Sequence, residues 1–183
     1  MFTTRFAAAC VLLALVAGCS PAGPESASVR VADVEARPVA APALSPAAEE
    51  TYARLQDIAA RGSVYDMARL AAATPDFRSN DGGLSHREYW YLKLRTGDWP
   101  MAHVGRVLDY PYAVQETDSG RIFVWPYMAF SDPASLDRRT ERDIASLLGE
   151  QGLEAFRSSG EWRGYRLAIA EDGRWLYFYS GEG

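Results

Sequence analysis

His86 and His103 are the only histidines in this 183-residue chain. Proton transfer through imidazole near neutral pH would have to use one of them. Ser85 precedes His86, but adjacent residues on a helix point apart, and Ser85 is better used as a helix cap. His103 has one acid close by in sequence, Asp98. Structural roles account for both. A metal site needs at least three ligands in reach, and two histidines without a free cysteine in the domain do not supply it unless carboxylates join. Residues 77–88 partly copy a calcium loop: Ser79, Asp81, Gly82, Ser85 and Glu88 fall at its third, fifth, sixth, ninth and twelfth positions. The first position is Phe77, which has no side-chain oxygen, so a polar loop ending in a helix cap is the simpler reading. Acids occur in pairs at Asp132/Asp137, Glu141/Asp143 and Glu150/Glu154. A glycosidase needs two carboxylates at a set gap across a cleft. Sequence spacing fixes no such gap, and acids on amphipathic helices usually form a solvated face. No Gly-rich phosphate loop, G-x-S-x-G or H-E-x-x-H is present. No catalytic residue, metal or cofactor is assigned.

The aromatics are the feature above background. All five Trp and all ten Tyr lie beyond residue 45. Trp125, Tyr127, Trp162, Tyr165, Trp175, Tyr177 and Tyr179 fall on or beside expected strands. Aromatics bury large area and often serve as core. If the face bearing Trp175, Tyr177, Tyr179 and Arg166 is open, it is a platform for glycan or peptide; if covered, it is fold.

The elements that would position these residues follow from local signals. Ser45-Pro46 opens a helix with a hydroxyl cap, proline at its first position and Glu49 and Glu50 against the dipole. Tyr52, Leu55, Ile58 and Ala59 make its apolar stripe, and Gly62 ends it. Ser63 and Asp66 open a second helix carrying Met67, Leu70 and Ala71. Residues 74–84 form a loop. Ser85 with Glu88 makes a capping box for a helix to Arg95, and Asp98 caps a further turn with Met101, Val104 and Val107 inward. Tyr112–Glu116 and Arg121–Trp125 alternate as a hairpin, stopped by Pro126. Residues 133–156 are helical pieces broken at Gly149, Gly152 and Gly160, with Ile144, Leu147, Leu148, Leu153 and Phe156 buried. Trp162–Ala170 and Arg174–Tyr179 flank Asp172-Gly173, a two-residue hairpin signal. That register sets Ile169 opposite Leu176 and Leu167 opposite Phe178. The core face is then Tyr165, Leu167, Ile169, Leu176 and Phe178, with Arg166 opposite Tyr179 in cation–π reach. The expected fold is α+β, with four to six helices packed on an antiparallel sheet of two β-hairpins.

The formal net charge of −5 places +1 in residues 1–18, −1 in residues 20–44 and −5 in residues 45–183. A mildly acidic domain argues against a nucleic-acid partner, which selects clustered Lys and Arg. It also argues against a broad basic face for anionic headgroups. Residues 20–44 are rich in Pro, Ala, Ser and Val and cannot bury enough surface to offset ordering entropy. As a coil they span about 25–30 Å, and as polyproline II about 75 Å.

The leader has one charge, Arg5, then eleven apolar residues from Ala7 to Ala17, too short to span a bilayer. Val16-Ala17-Gly18 are small and precede Cys19. This stretch resembles the lipobox of bacterial lipoproteins. The resemblance implies a diacylglyceryl group on the Cys19 sulfur, cleavage before Cys19 and frequent acylation of the new amine. Two or three acyl chains anchor firmly, at about 0.8 kcal/mol per buried methylene. Ser20, where an aspartate would retain a lipoprotein at the inner membrane in enteric bacteria, implies the outer membrane. The close of the chain, Gly164-Tyr165-Arg166-Leu167-Ala168-Ile169 through Asp172-Gly173 to Trp175-Leu176-Tyr177-Phe178, resembles small envelope lipoproteins over the last fifty residues. That likeness is specific for a hairpin and carries no functional residue.

The organisation expected is a signal peptide at 1–18, a lipidated cysteine and tether at 19–44 and one globular domain at 45–183. Cys10 leaves with the signal, so no disulfide is expected. The expected function is a lipid-anchored, periplasm-facing envelope lipoprotein, non-catalytic, binding an envelope protein or cell-wall glycan. The alternative is a small hydrolase of wall glycan using a carboxylate pair.

Overall fold

A computed structural model describes residues 42–181. The lipobox, Cys19, the signal segment 1–18 and most of the tether 19–44 lie outside the described residues. The tether's last residues do not: Pro42 accepts a hydrogen bond from the Tyr112 hydroxyl at 2.7 Å, and Leu44 packs against the core.

The helices form where their caps say they should. α1 spans Pro46–Arg61, with the Ser45 hydroxyl accepting from the Ala48 amide and Gly62 closing it in a left-handed conformation. α2 (Val64–Ala72) is capped by Ser63 and α3 (His86–Arg95) by a full Ser85/Glu88 capping box. α4 covers Pro100–Leu108. Asp98 does not cap it as expected; Trp99 takes the cap position without a side-chain bond, because the Asp98 carboxylate is bound elsewhere. α5 runs Arg138–Ser159, kinked at Gly149, which has φ 78° and ψ 168°, and ended by Gly160. Gly152 does not break it; it lies within the helix.

Four strands form one antiparallel sheet in the order β1 (Ala113–Thr117), β2 (Gly120–Trp125), β3 (Tyr165–Ala170), β4 (Trp175–Ser180). The fold is α+β, two hairpins with α5 between them and four helices before them. The first hairpin has the expected register, with Glu116 opposite Arg121 and Val114 opposite Phe123. β3 starts at Tyr165 rather than Trp162, and Trp162 instead packs edge-on against Phe156 beneath α5.

The second hairpin departs from its expected register. Ala170 donates to the Arg174 carbonyl, and Gly173 donates to that of Ala170, both at 2.9 Å. The loop is therefore three residues, Glu171-Asp172-Gly173, with Gly173 at φ 88°, the arrangement that puts glycine in the left-handed position of a three-residue turn. Ile169 then faces Trp175, and a bulge between Ala168 and Ile169 restores Leu167 opposite Phe178 and Arg166 opposite Tyr179. Trp175 thus turns into the core and Leu176 out of it, the reverse of the expected faces. A bulge supplies the extra residue that makes both ends of the hairpin regular.

One sheet face carries Phe123, Trp125, Leu167, Ile169, Trp175 and Phe178 against α1, α2 and α4. The N-terminus of α1 is fastened to the β3–β4 turn: Ser45 Oγ donates to the Glu171 carbonyl at 2.5 Å and Thr51 Oγ1 to that of Gly173 at 2.6 Å. α5 and the short 3-10 turn Tyr127–Phe130 form a second cluster around Met128, Ile144 and Phe156. The other sheet face gathers Val124, Ala168, Tyr177 and Tyr179. Its outer edge at β4 is lined by the loop before α3. Arg78 forms a parallel bridge with Tyr177 by donating to the Leu176 carbonyl (3.1 Å) and accepting from the Phe178 amide (3.0 Å). Asn80 continues it through its side chain, accepting from the Ser180 amide at 2.8 Å and donating to its carbonyl at 3.1 Å.

Candidate functional site

The loop before α3 brings together Ser79, Asp81 and His86, a trio whose residue types suggest nucleophilic catalysis. Its geometry does not. Ser79 Oγ lies 3.1 Å and Asp81 Oδ2 3.2 Å from the same ring nitrogen, His86 Nδ1, and Ser79 Oγ donates to Asp81 Oδ2 at 3.0 Å. A serine triad needs the serine on one imidazole nitrogen and the acid on the other. Here one carboxylate satisfies both groups and leaves no base for the hydroxyl. The other Asp81 oxygen accepts from the Gly83 amide at 2.9 Å. Burial pushes the Asp81 carboxyl up, but the Gly83, Ser79 and His86 hydrogen bonds together bring it below the usual range. His86 stacks on Trp90, with Phe77 edge-on to it at 5.0 Å. Phe77, the first position of the calcium-like loop, is buried 4.5 Å from the Trp175 ring. The loop is a clamp, with its acid and hydroxyl turned to the imidazole and its first position in the core.

The tightest ionisable cluster surrounds Asp98. Lys93 Nζ lies 2.5 Å from Asp98 Oδ2, His103 Nε2 2.7 Å from Oδ1, and the Tyr165 hydroxyl donates to Oδ2 at 3.4 Å. His103 also stacks on the Tyr165 ring at 4.4 Å. Burial raises the Asp98 carboxyl, and the hydrogen bonds from Lys93 and His103 outweigh it, leaving the group below the ordinary aspartate value. Burial, with the Asp98 charge beside it, pushes the Tyr165 phenol up to about 12, so it stays a donor. The cluster ties the α3–α4 turn to β3.

Of the carboxylates of the hydrolase reading, four have separate partners, and Glu150 and Glu154 are exposed. Asp132 accepts from the Ala134 amide and Ser135 hydroxyl, and Asp137 caps α5 through the Thr140 amide. Glu141 pairs with Arg157, while Asp143 accepts from the Tyr127 hydroxyl at 3.2 Å. A general acid needs a carboxyl held protonated by a raised pKa. Among the described residues, every carboxyl with a resolved shift moves down. No group of three or more His, Cys, Asp or Glu among the described residues is placed to hold a metal ion.

The aromatic surface is not where the sequence put it. Trp175, Tyr177 and Tyr179 are 1%, 7% and 9% exposed. Of the two alternatives for that face the covered one holds, and the possible ligand surface at Trp175, Tyr177 and Tyr179 is fold: Trp175 packs against Phe77, Trp90 and Phe178 because the bulge turns it inward. The expected Arg166–Tyr179 contact is present, with the guanidinium 4.9 Å over the ring. An exposed aromatic with arginines beside it does occur on α3. Tyr91 and Leu92 are 42% and 47% exposed on its outer side, whereas the exposed Leu84 lies before its Ser85 cap and Trp99 at the start of α4. Trp90 holds the inner side of α3. Arg87, Glu88, Tyr91, Leu92 and Arg95 line a shallow groove along the outer side, where Arg87 sits 5.9 Å over the Tyr91 ring. The sequence carried this signal as two consecutive apolar residues, Tyr91-Leu92, beyond what one buried face of a ten-residue helix can use.

No family model, curated protein or solved structure matches this chain.

Proposed function

We propose that the chain is a lipid-anchored envelope lipoprotein, held by acyl chains at Cys19 and facing the periplasm, with the outer membrane favoured. It acts as a non-catalytic binding module and meets an envelope protein through the outer strip of α3. The anchor rests on Val16-Ala17-Gly18-Cys19 and the leader before it. Among the described residues no helix is long and apolar enough to cross a membrane.

The observation that carries the binding reading is the uncovered strip itself. Tyr91 and Leu92 on α3 are two of the five exposed large hydrophobics among the described residues, and they line one groove with Arg87 and Arg95. Contiguous exposed apolar surface marks interaction sites. Trp, Tyr and Arg are the residues that dominate protein–protein binding energy, whereas a glycan platform needs open aromatic faces. The Tyr91 face is already covered by Arg87, so a protein fits better than a sugar.

The test is affinity capture of the full chain from detergent-solubilised bacterial envelope, beside a Tyr91→Ala/Leu92→Asp variant. The reading expects a specific envelope protein held by the parent and lost from the variant, with unchanged melting because both side chains are exposed. Equal recovery by both, or co-sedimentation with purified wall glycan instead, refutes the α3 assignment. Cys19→Ser is expected to move the protein from the membrane to the soluble fraction; retention in the membrane refutes the anchor.

A further inference from the structure

The second sheet face holds two guanidiniums that have no carboxylate partner among the described residues. The Tyr177 and Tyr179 rings lie 4.8 Å apart. Arg78, on the edge bridge, places its guanidinium 5.5 Å over Tyr177 and 6.0 Å over Tyr179. Arg166, on the neighbouring strand, stands 4.9 Å over Tyr179. Two cations therefore flank one pair of phenols.

Their counter-charge is missing. Of the thirteen other arginines of the described residues, seven form salt bridges, to Asp57, Asp66, Glu171, Asp143, Glu141, Glu161 and Asp172. Arg78 and Arg166 meet no carboxylate among the described residues. Arg166 spends Nη2 on the Gly181 carbonyl at 2.7 Å, while its Nε is buried without a partner. A buried, unsatisfied donor on a cation is costly to keep. The Tyr177 hydroxyl also has no hydrogen-bond partner among the described residues. Burial, then Tyr179, pushes the Tyr177 phenol well up, although Arg166 and Arg78 both pull it back. The group thus presents two guanidinium cations beside two phenol hydroxyls. Arg78 is exposed and can reach outward from the ring it covers.

We propose that Arg78, Arg166 and the Tyr177 and Tyr179 hydroxyls form a binding site for an oxyanion, a carboxylate or phosphate group carried by an envelope molecule. An arginine fork matches either group with two parallel hydrogen bonds. The site shares no residue with the α3 strip, so it stands or falls independently of the protein partner proposed there.

The test uses the full chain at constant ionic strength, titrated with inorganic phosphate, with acetate and with chloride. The readout is the arginine Nε–H resonances and the tyrosine fluorescence. A saturable response to phosphate or to acetate supports the site and names which source chemistry it takes. Arg78→Ala is expected to weaken that response about tenfold, and Arg78→Lys to weaken it too, since a point charge lacks the fork. Arg78 is exposed, so melting should not change, and the variant separates binding from folding. A response equal to that of chloride, or one untouched by Arg78→Ala, overturns the proposal. So does a response seen only in Glu182→Gln, which would mean that this chain's own carboxylate fills the site.

Discussion

Gly173→Ala tests whether the α1 N-terminus and the β3–β4 turn are locked together. Two separate costs meet at this position. Gly173 has φ 88°, where a Cβ costs about 1–2 kcal/mol. A Cβ built there would also lie 2.8 Å from the Ala47 carbonyl oxygen and 3.1 Å from its Cβ. Neither neighbour is the free end of a flexible side chain, so α1 or the turn must shift, at about 1–3 kcal/mol for overpacking. The expected total is about 2–5 kcal/mol. Gly62→Ala is the control: its φ is 65° and nothing lies within 4 Å of its Cβ. It should lose only the backbone cost, about 1–2 kcal/mol. Urea midpoints and slopes for both variants give the difference directly. If Gly173→Ala falls within about 0.5 kcal/mol of Gly62→Ala, at the limit of additivity, then α1 does not press on this turn and the reasoning fails.

Two further outcomes concern the clusters around the site. Asp98→Asn should cost about 1–2 kcal/mol at pH 7, the value of charge-assisted hydrogen bonds discounted for partial exposure. Because the folded pKa of Asp98 is depressed, its stabilisation is present above the ordinary carboxyl range and fades as pH falls through the folded value. The gap between the two proteins should therefore narrow as pH falls below the ordinary carboxyl range; a gap that does not change with pH refutes the ionic account. Phe77→Ala should cost about 3 kcal/mol, since the ring is buried against Trp175 and His86. Amide exchange at Phe178, whose N–H is held by Arg78, should accelerate with it; unchanged exchange there would show that the edge bridge does not depend on the ring.

Much of this fold was legible because its signals are local. Ser45, Ser63 and Ser85 each announce a helix through a hydroxyl that accepts from the amide three residues on. The alternation in the first hairpin fixed its register. The second hairpin misled because Asp172-Gly173 suits a two-residue loop, while Glu171-Asp172-Gly173 suits a three-residue loop equally well. Only the packing of Trp175 against Phe77 and Trp90 chooses between them, and those partners are distant in sequence. The same holds for Asp98: as a cap residue it looked local, yet Tyr165 from β3 and His103 from α4 claim its oxygens. Ser79, Asp81 and His86 were all visible in one loop. Their joint use of a single nitrogen depends on the imidazole being turned by its stack on Trp90, which no spacing encodes. The exposed Tyr91 and Leu92 of α3 went unread as a surface, because the larger aromatic count near the C-terminus drew the candidate surface to Trp175, Tyr177 and Tyr179.

The pairing of Arg78 and Asn80 along β4 has a bearing on how this fold resists recruiting other chains. A bare strand at the margin of a sheet recruits other chains, whether by donor-strand addition or by amyloid-like stacking. Here the C-terminal strand is hemmed by a loop already holding its free amides and carbonyls at Leu176, Phe178 and Ser180. Backbone-mediated recruitment must therefore enter at β1, on the far margin, where the short strand Ala113–Thr117 ends in charged and hydroxyl side chains. A mutation that frees Asn80 would open a second margin, and self-association would be its first symptom.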